Sequence, residues 1–290
     1  GVTAIHTMHG SANVIGGQTA VIKLKYDSSP AEMLVTDGPG LVKFALGENV
    51  VQANFSSRGQ RFPVTRMGVE AALREAFHDG AAYAQTFGAL RNGLPVRRDL
   101  RLEALAAILA GDIWIQAHSY RSDEILRLLA VAEEFGVRVA TLHHVLEAYR
   151  ILPEIARHGA SGSTFSDWWA YKIEAADAVP HNAAMMMQAG IVSSINSDDP
   201  EVVRHMPLEA AKSIRFGGLT ADEALRLITI NPARQIGLDD RIGSIDAGKD
   251  GDIAVFDGHP LDTFSKTVLT LIEGEVYFQH RAFTPGAAPA

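Results

Sequence analysis

At 290 residues, with 47% hydrophobic and 21% charged side chains, the chain can bury one large core or one core with a small appendage. A net charge of -8 argues against nucleic acid or an anionic membrane as the main partner. The absence of cysteine excludes disulfides and thiolate metal sites, leaving His, Asp, Glu or a modified Lys as metal ligands, and no apolar run is long enough to span a bilayer.

The first elements read as β. Val2 to Met8 predicts a buried strand, and Gln18 to Lys25 alternates like a half-exposed one, with His6 and His9 as loop or structural histidines between them. Gly40 to Val50 is a further strand-like run ending in Gly47 and Glu48. Lys43 inside it needs a partner or a modification, or else it snorkels, and Glu48 is either a ligand or a turn residue. Gln52 to Thr65, with Arg58 and Arg61, reads as an exposed loop. Met67 to Phe87 and Asp99 to Leu109 read as helices, the first with Val69, Leu73, Ala76 and Phe77 on one face.

Two βα units follow in succession. Gly111 to His118 is a strand that stops at a histidine, and an amphipathic helix runs from Arg121 to Phe135. Gly136 to His144 repeats the pattern and ends in His143 and His144, with another helix after Tyr149. Gly159 to Phe165 is a weaker strand, Ser166 to Ala178 an aromatic loop, and Ala183 to Ala189 a helix closed by Gly190. That helix feeds the buried run from Ile191, which ends in Asp198-Asp199-Pro200. An Asp-Pro turn explains this ending locally, whereas an acid delivered by a strand end explains it chemically. Two strands ending in histidine and a third in an acid suit a parallel α/β barrel with a metal site at one face.

Beyond Asp198 come a helix over Ala210 to Phe216 and another from Thr220, where Glu223 completes a capping box, ending at Asn231-Pro232. Ile242 to Ile245, Gly248 to Phe256 and Val268 to Phe278 then predict short strands in a β appendage. The Pro/Ala tail from Pro285 reads as disordered. The expected division is a barrel over 1–235, a small β-sandwich portion over 236–282 and a tail over 283–290.

These residues carry a resemblance. Glu223-Ala224-Leu225, Asn231-Pro232-Ala233-Arg234, Ile242-Gly243-Ser244-Ile245 and Gly248-Lys249-Asp250-Gly251-Asp252 resemble the end of amidohydrolase-superfamily enzymes. Gly1-Val2-Thr3, Gly16-Gly17-Gln18 and Leu46-Gly47-Glu48-Asn49 are similar to the imidazolonepropionase-like metal-dependent hydrolases within it. The resemblance implies a TIM-like (β/α)8 barrel with a small β-sandwich built from both chain ends. It also implies a His-x-His pair after the first strand, upstream of Gly1, so this chain is expected to lack its first strand as a fragment of a larger protein.

In that register His118 is the metal ligand after the fifth strand, and His144, rather than His143, the one after the sixth. Asp198 is the eighth-strand metal ligand and acid/base, and either Glu48 or Lys43 is the fourth-strand ligand. The implied activity is hydrolysis of an amide or cyclic amide through a water activated by Zn²⁺ or another divalent transition metal, one or two ions, with Asp198 and His144 catalytic. Tyr120 and Arg121 could bind a substrate carboxylate or simply be solvated, and His181 could touch substrate or start a helix. The substrate is expected to be a small or peptide-like molecule, with no nucleic-acid or membrane partner, in a cytoplasmic protein and as a homodimer, although a signal peptide ahead of Gly1 stays open. Two other readings are a metal-free binding scaffold, which the missing His-x-His favours, and a lyase using Lys43 as a Schiff-base nucleophile.

Overall fold

The computed structural model describes residues 1–56, 61–89, 97–168, 171–281 and 283. Arg58 and the tail from Pro285 lie outside them. The chain opens with β1 (Ala4–Thr7), β2 (Ile15–Gln18), β3 (Ala20–Lys23), α1 (Pro30–Met33), β4 (Gly40–Ala45) and α2 (Glu48–Ser56). It continues through α3 (Arg66–Ala89), α4 (Leu100–Ala110), β5 (Ile113–Ser119), α5 (Ser122–Phe135), β6 (Val139–His144), α6 (Leu152–His158), β7 (Ser161–Thr164), α7 (Asn182–Gln188) and β8 (Ser193–Ile195). It closes with α8 (Met206–Gly217), α9 (Ala221–Arg226), α10 (Ile230–Gln235), β9 (Ile253–Phe256), β10 (Thr267–Ile272) and β11 (Glu275–Gln279). None of the helices among the described residues is long and apolar enough to cross a membrane.

Two compact units share the chain. The central unit comprises Met8–Thr19 and Pro39–Ser193, and the terminal unit Gly1–Thr7, Ala20–Gly38 and Ser194–Ala290.

In the central unit β4, β5, β6 and β7 pair in parallel, and β2 lies antiparallel at the free side of β4. Parallel strands joined by helices are covered on both faces, so β6 is buried along its whole length. One face of the sheet is apolar: Val42, Phe44, Ile115, Ala117 and Leu142 belong to a core with Leu73 and Phe77 of α3 and Ile125 and Leu128 of α5. Phe77 stands 6.1 Å from Phe44 and 5.3 Å from Phe135, ring centre to ring centre, which pins α3 and α5 onto the strands. Gly111, Gly136 and Gly159 end the preceding helices in left-handed conformation and turn the chain into the next strand. The predicted loop from Gln52 is corrected: α2 runs from Glu48 to Ser56, with fully buried Val50 in its first turn.

The terminal unit holds both chain ends. β1 pairs antiparallel with β3, and β9, β10 and β11 form an antiparallel meander. Lys23 is buried at 2% exposure, its ammonium 2.5 Å from Asp250, 3.3 Å from Asp252 and 3.2 Å from Glu273. Burial alone would lower the Lys23 pKa, but the three acids outweigh it and raise it. The Thr220 capping box forms as expected.

Two expectations fail here. The chain does not stop being helical at Asn231-Pro232: α10 runs through it with the proline in its first turn, where no N–H is needed. Ile242 to Ile245 is not a strand. Gly243 takes a φ of 90°, and Ser244 hydrogen-bonds Asp246 and Lys249 locally, which competes with sheet pairing.

Candidate active site

Alternation along β4, β5 and β6 sends every second side chain to the face opposite the apolar core. In register, Lys43 lies beside Gln116, Gln116 beside Thr141, and His118 beside His143, which in turn lies beside Ser163. All six are buried. Burying so many polar groups is costly unless they serve each other or a ligand. His143 is served inside the row: its Nε2 is 2.7 Å from Gln116 Oε1.

His144 departs from the alternation. It takes φ 67° and Val145 φ 36°, left-handed values that are uncommon for non-glycine residues and strained for a β-branched one, at about 1–3 kcal/mol per residue. That turn brings the His144 ring to 4.7 Å from His118, edge against face. Tyr120 stacks on one ring contact of His144 at 5.3 Å and 17°, Phe165 on another at 4.7 Å and 21°, and Trp168 stacks on Phe165 at 4.5 Å. Both histidines are held well below the ordinary imidazole pKa. Burial is the main cause for each, and the positive charges of Lys43 and Lys172 add to it. Each ring is therefore neutral at pH 7, with a nitrogen lone pair to offer.

A polar chain leads away from this pair. Asn49 Nδ2 is 3.4 Å from His118 Nε2, and Asn49 Oδ1 accepts from Lys172 Nζ at 3.0 Å. Lys172 Nζ stands 4.1 Å from the centre of the Tyr120 ring and 2.7 Å from Glu174 Oε1. Glu174, buried, also accepts from the Glu48 N–H at 3.0 Å and from Arg66 at 3.4 Å, and Arg66 is in close contact with Glu124. Gly47 makes this possible: at φ 79° it turns the chain, and a Cβ there would lie 2.9 Å from Glu174 Oε2 and 3.1 Å from Glu124 Oε2. Burial pushes the Glu124 carboxyl up to about 6, against the pull of Arg66 and with the repulsion of Glu174.

Of the residues expected at the site, the central unit brings together His118, His144 and Tyr120, with Lys43 buried on the His118 face. Glu48 opens α2, half-buried, its carboxylate engaged by Gln52. Arg121 precedes α5 and is paired with Asp123 at 3.0 Å, and His181 is exposed at the start of α7. Asp198 belongs to the terminal unit, exposed, at φ 48° beyond β8. Its neighbour Asp199 performs the turn role, accepting from the N–H groups of Glu201 and Val202 at 2.8 and 2.9 Å. Among the described residues no group of three or more His, Asp or Glu side chains could hold a metal ion.

Asn49, Phe165 and Lys172 escaped the sequence reading. Asn49 had a signal, since it follows Glu48 in a stretch already singled out, whereas Lys172 sits in an aromatic loop without local pattern.

Comparison with known proteins bears on this site. The Amidohydrolase family profile matches residues 72–276. Amidohydrolase tasK of Hapsidospora irregularis is 32% identical over 305 residues, covering 96% of this chain and 30% of that protein. Imidazolonepropionase of Porphyromonas gingivalis is 40% identical over 76 residues, 25% of this chain and 18% of that protein. The chain thus spans less than a third of the length of these relatives. The crystal structure of an amidohydrolase from Thermotoga maritima MSB8 superposes with a TM-score of 0.89 at 31% identity, covering 97% of this chain and 73% of that one.

Proposed function

Because the chain belongs to the amidohydrolase family, we propose that the protein hydrolyses a C–N bond, amide or cyclic amide, in a small or peptide-like molecule. One observation carries the reading: two buried, neutral imidazoles meet at the ends of adjacent parallel strands, one of them on a strained backbone. In this reading β4 to β7 are part of a TIM-like (β/α)8 barrel, whose reacting groups sit beyond the C-terminal strand ends.

Neutral imidazole is the form that binds transition metals, so His118 and His144 fit Zn²⁺, or another divalent transition metal, in donor type and protonation. They are two donors of the three or four such an ion takes from protein. The family resemblance, not the geometry, assigns Asp198 and a fourth-strand residue as the donors that would complete the set for one or two ions. Lys43, buried on the His118 face, is better supported there than Glu48, whose carboxylate is occupied by Gln52. Such an ion, when bound, lowers the pKa of a water molecule towards neutrality. Asp198 accepts a proton from the attacking water and passes it to the leaving nitrogen. Tyr120 and Phe165 hold the His144 ring by stacking, and Tyr120 is the substrate candidate that its surroundings favour.

The test is a screen of the full-length protein, supplied with Zn²⁺, against N-acyl amino acids, dipeptides and cyclic amides. Turnover is expected to vanish with a chelator, return with Zn²⁺, and fall by about 10²–10⁴ in Asp198→Asn. Failure of the metal-supplied protein on every C–N substrate would overturn the reading.

A further inference from the structure

The cation that the sequence suggested for a substrate carboxylate, Arg121, is committed to Asp123 on the flank of α5. Another cation stands at the histidines. Lys172 is one residue removed from each of them: Asn49 links it to His118, and the Tyr120 ring under its ammonium stacks on His144. It stands immediately before a short turn, Ile173–Ala175, and its long side chain is only 19% exposed.

An ammonium has three N–H donors. Among the described residues, Asn49 Oδ1 accepts one of them, and Glu174 Oε1 pairs with the ammonium as a salt bridge at 2.7 Å. Glu174 does not depend on Lys172 for compensation, because Arg66 and the Glu48 N–H hold its other oxygen. A cation in this position, partly desolvated over an aromatic face, favours an anionic partner over a neutral one.

We propose that Lys172 is a specificity-determining residue whose ammonium binds a carboxylate of the substrate, selecting amides that carry an acid beside the scissile C–N bond, as in N-acyl amino acids and dipeptides. The assignment rests on His118 and His144 being the reaction centre. If Lys172 instead only pinned the turn that carries it, its loss would lower stability without separating charged from neutral ligands.

The experiment is calorimetric binding to the full-length protein of a panel of N-acetyl amino acids and their carboxamides, with wild type, Lys172→Met and Lys172→Arg. Wild type is expected to prefer carboxylate over carboxamide by about 10- to 100-fold. Lys172→Met is expected to collapse that preference to near unity, and Lys172→Arg to retain most of it. The assignment is overturned if wild type shows no carboxylate preference, or if Lys172→Met keeps it. Carboxylate-selective binding without turnover would remove the hydrolase reading and leave Lys172 standing; turnover without selectivity would do the reverse.

Discussion

The His144 imidazole lies nearly parallel to the Tyr120 ring, 5.3 Å away and inclined by 17°, and Tyr120 in turn accepts a hydrogen bond from the Tyr171 hydroxyl at 2.7 Å. In the proposed site Tyr120 would orient His144 by this stack. Replacing it by Phe keeps the stack. Replacing it by Ala opens a cavity worth about 3–5 kcal/mol and frees the imidazole, with a loss in metal affinity of about 10- to 100-fold. Chemical unfolding and Zn²⁺ titration of Tyr120→Phe and Tyr120→Ala check both effects. Equal affinities in the two variants would dissociate the stack from ligand orientation.

Lys43 and Glu48 compete for one role and can be separated by metal content. Lys43→Met is expected to lower the zinc bound per chain in the purified full-length protein, whereas Glu48→Gln leaves it near the wild-type value. The opposite pattern would assign the fourth-strand position to Glu48.

Glu124 makes stability depend on pH with a definite sign. Burial pushes its folded carboxyl up to about 6, above the usual glutamate value of about 4.5, so the folded state favours the protonated form. This group's contribution is most favourable below 4.5 and is lost as the pH rises through about 6, by roughly 2 kcal/mol at most. Wild type should therefore lose stability relative to Glu124→Gln between pH 4.5 and 7, in denaturant titrations at each pH. A constant difference across that range would contradict the assignment.

Lys23→Met should be among the most destabilising changes in the terminal unit. It leaves Asp250, Asp252 and Glu273 around a site that has lost its cation, a loss of about 3–5 kcal/mol for one partner of a buried pair. Asp250 is held below its ordinary pKa despite burial, by Lys23 and Arg241, and Glu273 by Lys25 and then Lys23. These acids stabilise the fold above their unfolded pKa values and cease to do so as the pH falls through the folded ones. The stability difference between wild type and Lys23→Met, from denaturant titrations at each pH, should therefore shrink as the pH falls.

Much of this arrangement was legible in the sequence. The apolar runs ending at His118 and His144 identify buried strands, because period and glycine punctuation are local properties. The choice between His143 and His144 was not decidable from periodicity. The left-handed backbone at His144, which takes its side chain off the strand alternation, leaves no mark on the apolar pattern. Asn49 and Lys172 meet across 123 positions, and no local pattern encodes a contact of that span. The strand predicted at Ile242 failed for the converse reason, since side-chain hydrogen bonds of Ser244 outweighed an apolar pattern.

The buried Lys23 cluster ties β3 to acids 227 and 229 residues later. During synthesis at least 227 further residues must therefore follow Lys23 before its ammonium meets those counter-ions, whereas the parallel strands of the central unit emerge earlier. A nascent chain halted before Asp250 would carry an uncompensated lysine on β3.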